Sequence, residues 1–222
     1  MPINFRLLPA YYAVPPLIPP ADLLNNALID TVINVDDLRT KDTTIDGQQF
    51  NVVGHTVAGK GGGVFYYDAS DTTSVDNNGT VIVTITSKRF IRQLDYYFTA
   101  EMFGALESNT TSANQILLQS ALDFANTSGL EFHIGSNVFN TGALSITTSG
   151  PITIVGANKG ASKFVFDGTD GITINQTNED HFINLSDFSI TTLTTNNGVG
   201  LTIDGTSQIS GSFIQPRDVV RA

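Results

Sequence analysis

From residue 130 onward the chain breaks into short β-forming segments: LEFHI, ALSIT, PITIVG, KFVFDG, GITIN, HFINLSDFSIT and VGLTIDG. Their starts recur about every 8–12 residues, with Gly, Asn, Asp or Ser between, the spacing of short strands wound into an all-β solenoid or folded into a sandwich. Two features favour the solenoid. Ile152, Ile154, Ile172, Ile174, Leu201 and Ile203 supply β-branched or leucine side chains that stack well on copies of themselves. A helix also stands directly before the first strand, where it would cover the open end of the coil. At ~20–25 residues per repeat, three or four coils fit.

That helix lies in NTTSANQILLQSALDFANTSG, residues 109–129. Asn109, Thr110, Thr111 or Ser112 is suited to cap its start. Leu118, Leu122 and Ala125 fall at helical spacing, with Ile116, Leu117 and Ala121 widening the stripe. Gly129 sits where a helix-terminating glycine belongs. Upstream, residues 31–99 read as a small sheet: FNVVGHTV and GVFYYD are strand candidates. TVIVTITSKRFIRQLDYYFT is a longer β run with alternation at Val81, Val83 and Ile85. Asp76-Asn77-Asn78-Gly79 before it is a turn signal, because Asn-Gly tolerates positive φ at both central positions.

The first 21 residues hold six of the eight prolines. Pro15, Pro16, Pro19 and Pro20 impose an extended course. Such an arm does not bury Phe5, Leu7, Leu8, Tyr11, Tyr12, Leu17 and Ile18 on itself; it lies across its own domain or docks on a partner. Residues 21–30, ADLLNNALID, suit a short helix. The prolines also break any secretory h-region, so the start reads as a mature N-terminus.

Charged residues make up only 14% of the chain and the net charge is −10. That field disfavours nucleic acid and anionic membrane as main partners. There is no cysteine, so packing alone holds the fold, and no 18-residue apolar run that would insert in a membrane.

Gly54 to Lys60, GHTVAGK, matches the spacing of a phosphate-binding loop. The context does not. Gly61, not Ser or Thr, follows the lysine, and Gly62, Gly63 and the β-formers Val64 to Tyr67 come where a helix should start. The stretch reads as loop into strand.

Phe103-Gly104-Ala105, the Leu118-Gln119-Ser120-Ala121-Leu122-Asp123 helix, Gly129, and Gly135 with Phe139 stand in an order that resembles the start of the pectate-lyase-like right-handed β-helix of bacteriophage tailspikes. Upstream, the Gly61-Gly62-Gly63 run, the aromatic strand, the Asp-rich turn, the Asn-Gly and a late arginine (Arg89 or Arg92) resemble the small β-domain between a tailspike's virion-anchoring arm and its β-helix. The resemblance spans about residues 50–160. Where the family carries an acidic pair before the helix, this chain has Glu107. No trimerising C-terminal domain is recognisable.

The resemblance implies a mainly β protein: an extended Pro-rich arm (1–30) that docks on the virion, a small head domain (31–100), a connector with one capping helix (101–129), and coils of a right-handed parallel β-helix (130–222). Docking residues would be Phe5, Leu8, Tyr11, Tyr12, Leu17 and Ile18. Gly61, Gly62, Gly63, Phe103, Gly104, Ala105, Leu118 and Leu122 are the structural motif. The expected partners are two further copies in a homotrimer, a phage tail or baseplate protein, and bacterial surface polysaccharide. The expected place is the virion tail, after assembly in the host cytoplasm.

Tailspikes often cleave polysaccharide, which takes a pair of opposed carboxyl groups for hydrolysis or a base for elimination. Asp167, Glu179, Asp180 and Asp187 are the catalytic candidates; Asp167 and Asp187 would share a face if the coil is about 20 residues long. Asp167-Gly168, Asp170-Gly171 and Asp204-Gly205 equally read as turn dipeptides. Tyr66, Tyr67, Tyr96 and Tyr97 are suited either to stack sugars or to pack half into a core. His55, His133 and His181 lack metal-ligand spacing, so no metal and no cofactor is expected. Two alternatives stay open: the β-helix is itself a capsular or O-antigen depolymerase, or the chain is a non-viral β-solenoid adhesin.

Overall fold

The computed structural model describes residues 29–168, 170–178, 181–192, 199–205, 208–210 and 220–221. The arm residues Phe5, Leu8, Tyr11, Tyr12, Leu17 and Ile18, and nearly all of the 21–30 helix expectation, lie outside the described residues, as do Glu179 and Asp180.

The head sheet has five strands in the order β1-β2-β3-β5-β4: β1 (Asp30–Val32), β2 (Gln49–Val52), β3 (Gly63–Asp68), β4 (Val81–Val83) and β5 (Arg89–Arg92). Only β1 and β2 run parallel; the other pairs are antiparallel. A one-turn helix, α1 (Val35–Arg39), follows β1, with the Asn34 side chain accepting from the Asp37 N–H at 2.8 Å. Val32, Val35, Leu38, Phe50, Val52, Phe65, Ile82 and Phe90 form the head core. The expected alternation in β4 is therefore out of phase. Ile82 points inward, Val81 and Val83 are half-buried and Ile85 is exposed. The long β run also divides, because Ser87 takes a φ of 63° in a turn between β4 and β5. In the Asn-Gly turn only Asn78 has positive φ, 60°. Gly79 is needed for space: a Cβ there would lie 2.5 Å from the Phe103 ring.

The rest is a parallel β-helix of three sheets. One sheet holds β6 (Tyr97–Thr99), β7 (Glu131–Gly135), β10 (Ile152–Gly156), β13 (Phe182–Ser186) and β16 (Gln208–Ser210). The second holds β8 (Val138–Thr141), β11 (Lys163–Phe166) and β14 (Ser189–Thr192). The third holds β9 (Leu144–Thr148), β12 (Ile172–Gln176), β15 (Leu201–Gly205) and β17 (Val220–Arg221). Every pairing within them is parallel. Residues 97–99, placed with the head by sequence, pair with β7 and begin the β-helix. HFINLSDFSIT supplies two strands, β13 and β14, with Asp187 between them at φ 59°.

Stacked columns fill the interior: Leu144–Ile172–Leu201 and Ile146–Ile174–Ile203 on one wall, Phe98–Phe132–Ile154–Leu185 on another. The aliphatic positions match the sequence expectation. The phenylalanines were not anticipated as stacking residues, and Phe98 lies face to face with Phe132 at 5.3 Å. Coil length varies, from 19 residues between paired Leu201 and Val220 to 34 between paired Phe98 and Phe132, the coil that contains the helix. Parallel pairing constrains the strands, while the corners between them tolerate different lengths.

Helix α2 (Thr111–Ser128) closes the first coil. Thr110 is its cap, accepting from the Ala113 N–H at 3.3 Å, and Gly129 ends it at φ 69°. Leu118, Ala121, Leu122 and Ala125 are buried; Ile116 is 69% exposed and does not join the stripe. Polar side chains of the same region satisfy the first strands' open edges. Gln115 donates to Ala143 O (2.9 Å), Gln119 accepts from Ser145 N–H (3.0 Å), and Asn126 donates to Thr147 O (3.0 Å). On β8, Glu107 accepts from Val138 N–H (2.7 Å) and the buried Asn114 donates to Asn140 O (3.1 Å). Glu107 thus serves as an edge cap. These contacts remove an unpaired strand template.

Candidate functional site: the joint between head sheet and β-helix

The residues singled out by motif converge where the two parts meet. Arg92, on β5, is 3% exposed. Its guanidinium donates to the carbonyls of Gly79 (2.8 Å), Gly62 (2.6 Å), Gly61 (3.0 Å) and Met102 (3.3 Å), and lies 4.3 Å from the Phe65 ring centroid. One side chain therefore ties a head strand, the Asn-Gly turn, the glycine run and the chain leading into the β-helix. Burial lowers its pKa, but guanidinium stays charged, held by four carbonyl dipoles and an aromatic face. Of the two arginines the sequence left open, Arg92 is the buried one. Arg89 is half-buried and donates to the carbonyl of Ser74 at 3.2 Å.

The glycine run is shaped by this contact. Gly61 has φ 64°, and a Cβ there would fall 1.8 Å from Glu101 O; at Gly62 it would fall 2.5 Å from Val52 O. The chain continues into β3 and not into a helix, and Lys60 ion-pairs with Glu101 at 2.8 Å. A shallow cleft of about 480 Å³ lies alongside, lined by Asn51–Val53, Gly59, the glycine run, Thr99 and Met102.

Phe103 is fully buried against Phe98 (5.5 Å) and Phe124 (5.8 Å). Gly104 takes φ 88° beneath the His55 ring, which a Cβ would meet at 2.6 Å. Ala105 is buried, with its N–H on Ala100 O at 3.2 Å. Leu118 and Leu122 close the same core. His55, which sequence reasoning weighed only for metal binding, is structural. Its Nε2 lies 2.7 Å from Asn78 O and its Nδ1 3.0 Å from Thr56 Oγ1. Burial pushes its pKa down, with Arg92 and Arg39 adding to the effect against the Asn78 carbonyl. Arg39 in turn clasps Asp76 and donates to Asn78 Oδ1 at 2.8 Å. No local pattern marks this relay, because its members come from four separate segments.

The described catalytic candidates are not brought together. Asp167 follows β11, at the corner leading to β12, and its N–H donates to Thr141 O at 3.3 Å. Asp187 sits at a different corner, between β13 and β14, with its carbonyl packed over Gly156. A shared face requires equal corners, which coils of unequal length do not provide. Asp170 Oδ1 accepts from Val199 N–H at 3.3 Å, a turn role. Among the tyrosines, Tyr67 packs on Phe90 at 5.9 Å, Tyr97 stacks on His133 at 4.6 Å, and Tyr96 is exposed. His133 pairs with Glu131 at 2.9 Å. Among the described residues no three His, Asp or Glu side chains group as a metal site.

Comparison with known proteins bears on the same two parts. Residues 31–95 match the family described as the phage tail protein small four-stranded beta-sheet domain. Among solved structures, the enzymatically active domain of tailspike protein 2 of bacteriophage CBA120 is 26% identical, covering 87% of this chain and 27% of that one, at TM-score 0.61. The gp42 tailspike of Acinetobacter phage vb_AbaP_AS12 is 17% identical over 83% of this chain and 36% of that one, TM-score 0.62. Pantoea stewartii WceF, a glycan biofilm modifying enzyme with a tailspike-like parallel β-helix, is 15% identical over 82% and 31%, TM-score 0.58. The chain spans about a quarter to a third of the length of these structures.

Proposed function

Starting from a chain that carries the head sheet and the parallel β-helix of a bacteriophage tailspike, we propose that it fixes the spike to the phage tail and presents a β-helix to host surface polysaccharide. The observation that carries this reading is the joint. A sheet of the phage-tail type is locked to a β-helix through Arg92, Phe103 and His55, so the head positions the helix rigidly. The division of labour is an arm (1–30) that docks on the tail, a head (31–100), a connector with capping helix (101–129) and coils (130–222). The tail-protein match favours a virion protein over a non-viral adhesin. The assembly is a homotrimer, formed in the host cytoplasm before it joins the virion.

Deletion of residues 1–28 tests the arm: incorporation into particles should be lost, and undiminished incorporation would sink the docking role. Light scattering of the purified chain tests the assembly. A mass near three times 23.7 kDa is expected; a monomer would show that these residues do not trimerise by themselves.

A second reading is favoured by the 26% identity to a tailspike's enzymatically active domain: the β-helix cleaves capsular or O-antigen polysaccharide. Single alanine substitutions at Asp167, Glu179, Asp180 and Asp187 should then abolish halo formation on host lawns at one position at least. Halos unchanged in all four would rule these residues out.

A further inference from the structure

The head sheet's two edges are built differently. On β4, Val81 N–H donates to Asn77 Oδ1 (2.9 Å), Val83 N–H to Asp76 Oδ2 (2.9 Å), and Val81 O accepts from Asn77 N–H (3.2 Å). That edge is plugged by the turn beside it. β1, the opposite edge, has β2 as its one strand neighbour among the described residues. Val32 O accepts from Val53 N–H at 3.0 Å, so Val32 faces β2. Successive residues of a strand in a parallel ladder face alternate sides, so Thr31 turns both its N–H and its C=O outward. Thr31 is exposed, and no partner for either group occurs among the described residues. Ile33 N–H is taken by Asp37 Oδ2 at 3.1 Å, which marks where the open stretch ends.

A bare edge is a template for a further strand. Its surroundings say which kind. Ile29 (51% exposed) and Ile33 (71% exposed) flank Thr31 and would lie against alternate aliphatic side chains of an added strand. Asp30 and Asp36 make the rim acidic; the Asp36 side chain is 91% exposed and has only a long contact, 3.8 Å, with Arg39 Nε. The nearby cations are engaged, Lys41 with Asp37 at 3.1 Å and Arg39 with Asp76. A second copy would bring the same acidic rim on a chain of net charge −10, and like charges oppose that pairing.

We propose that the outer edge of β1 accepts an extended segment of the tail protein that receives the spike, a segment with aliphatic residues at alternate positions flanked by Lys or Arg, pairing through the backbone of Thr31. The inference rests on the attachment reading above and names its contact.

Hydrogen exchange on the purified full chain comes first. Thr31 should exchange fast while Val81 and Val83 are protected; a protected Thr31 would mean that the chain's own arm or a second copy already fills the edge, and would overturn the proposal. Particles assembled in cells supplied with variants come second. Thr31→Pro removes one outward N–H at a position where a strand edge tolerates proline, whereas Thr31→Val keeps it. Incorporation of Thr31→Pro should fall about tenfold or more with Thr31→Val unchanged; equal incorporation of both would overturn the proposal. If Thr31→Pro fails to fold in a thermal melt, Asp36→Lys decides, since reversing an exposed rim charge repels a basic strand. The same loss is expected, and normal incorporation would overturn the proposal. Loss on deleting residues 1–28 combined with normal Thr31→Pro incorporation would reject this edge and keep attachment through the arm. Normal incorporation of the deletion would reject the arm and leave Thr31→Pro to decide the edge.

Discussion

Replacing Arg92 by Met is the most demanding perturbation of the joint. The change keeps an unbranched apolar stem but removes every donor. Four carbonyls, of Gly61, Gly62, Gly79 and Met102, then lose a partner at 2.6 to 3.3 Å. A hydrogen bond to a charged group contributes about 1.5–3 kcal/mol, and the stacking on Phe65 about 1–2 kcal/mol more when desolvated. Relief from burying a charge offsets part of that sum, as when buried ion pairs are replaced by apolar residues. A net loss of about 3–5 kcal/mol is expected, comparable to removing one member of a buried pair. For a head of this size that lowers its melting temperature by more than about 10 °C. Arg92→Lys keeps the charge but lacks the planar fork that reaches several carbonyls at once, so it should fall between. Differential scanning calorimetry, with hydrogen exchange at Gly79 and Met102 to locate the loss, measures both. Arg92→Met within about 1 kcal/mol of wild type would refute the view that this guanidinium holds the joint.

His55 has a folded pKa below its ordinary value because it is buried. The unfolded chain therefore takes the proton first, and head stability should fall as pH drops below about 6.5 toward the folded pKa. His55→Gln, with a donor for Asn78 O, should flatten that slope in melts between about pH 7 and 5; an unchanged slope would assign it elsewhere. Gly61→Ala should destabilise by more than about 3 kcal/mol, from backbone strain plus overlap with Glu101 O. Gly47→Ala, also at positive φ (76°) but with nothing within 4 Å, should lose only about 1–2 kcal/mol; equal effects in urea titrations would contradict the packing account. Gln115→Ala, Gln119→Ala and Asn126→Ala together should lose about 2–4 kcal/mol and open the β9 edge, read as concentration-dependent self-association by light scattering. A triple variant as stable and monodisperse as wild type would show that the edge needs no cap.

Much of the fold was legible because it is written in short-range periods. Segments such as PITIVG and GITIN alternate at period two, and their aliphatic positions stack as expected. Thr110, Leu118, Leu122 and Gly129 lie within one helix and its caps, where sequence distance is spatial distance. The glycines of residues 61–63 announced an unusual backbone, though not its reason. What failed was whatever depends on which elements meet. The phase of β4 turned over because the head core selects Ile82, and neighbouring half-buried valines carry no local mark of that choice. Ile116 fits the helical stripe yet faces outward, since the coil's curvature decides how wide a stripe is covered. Coil length, and with it the separation of Asp167 from Asp187, follows from corner loops that strand pairing does not constrain. The joint lay furthest from view. His55, Asn78, Arg92 and Gly104 come from four segments, and only their convergence gives a buried arginine its four carbonyls and a histidine its lowered pKa. The sequence by itself thus determined that the chain winds into capped parallel coils behind a small sheet. The tertiary structure alone decided how sheet and coils are locked together and which strand edge has no further partner among the described residues, because backbone groups reveal whether they are paired only once their neighbours are in place.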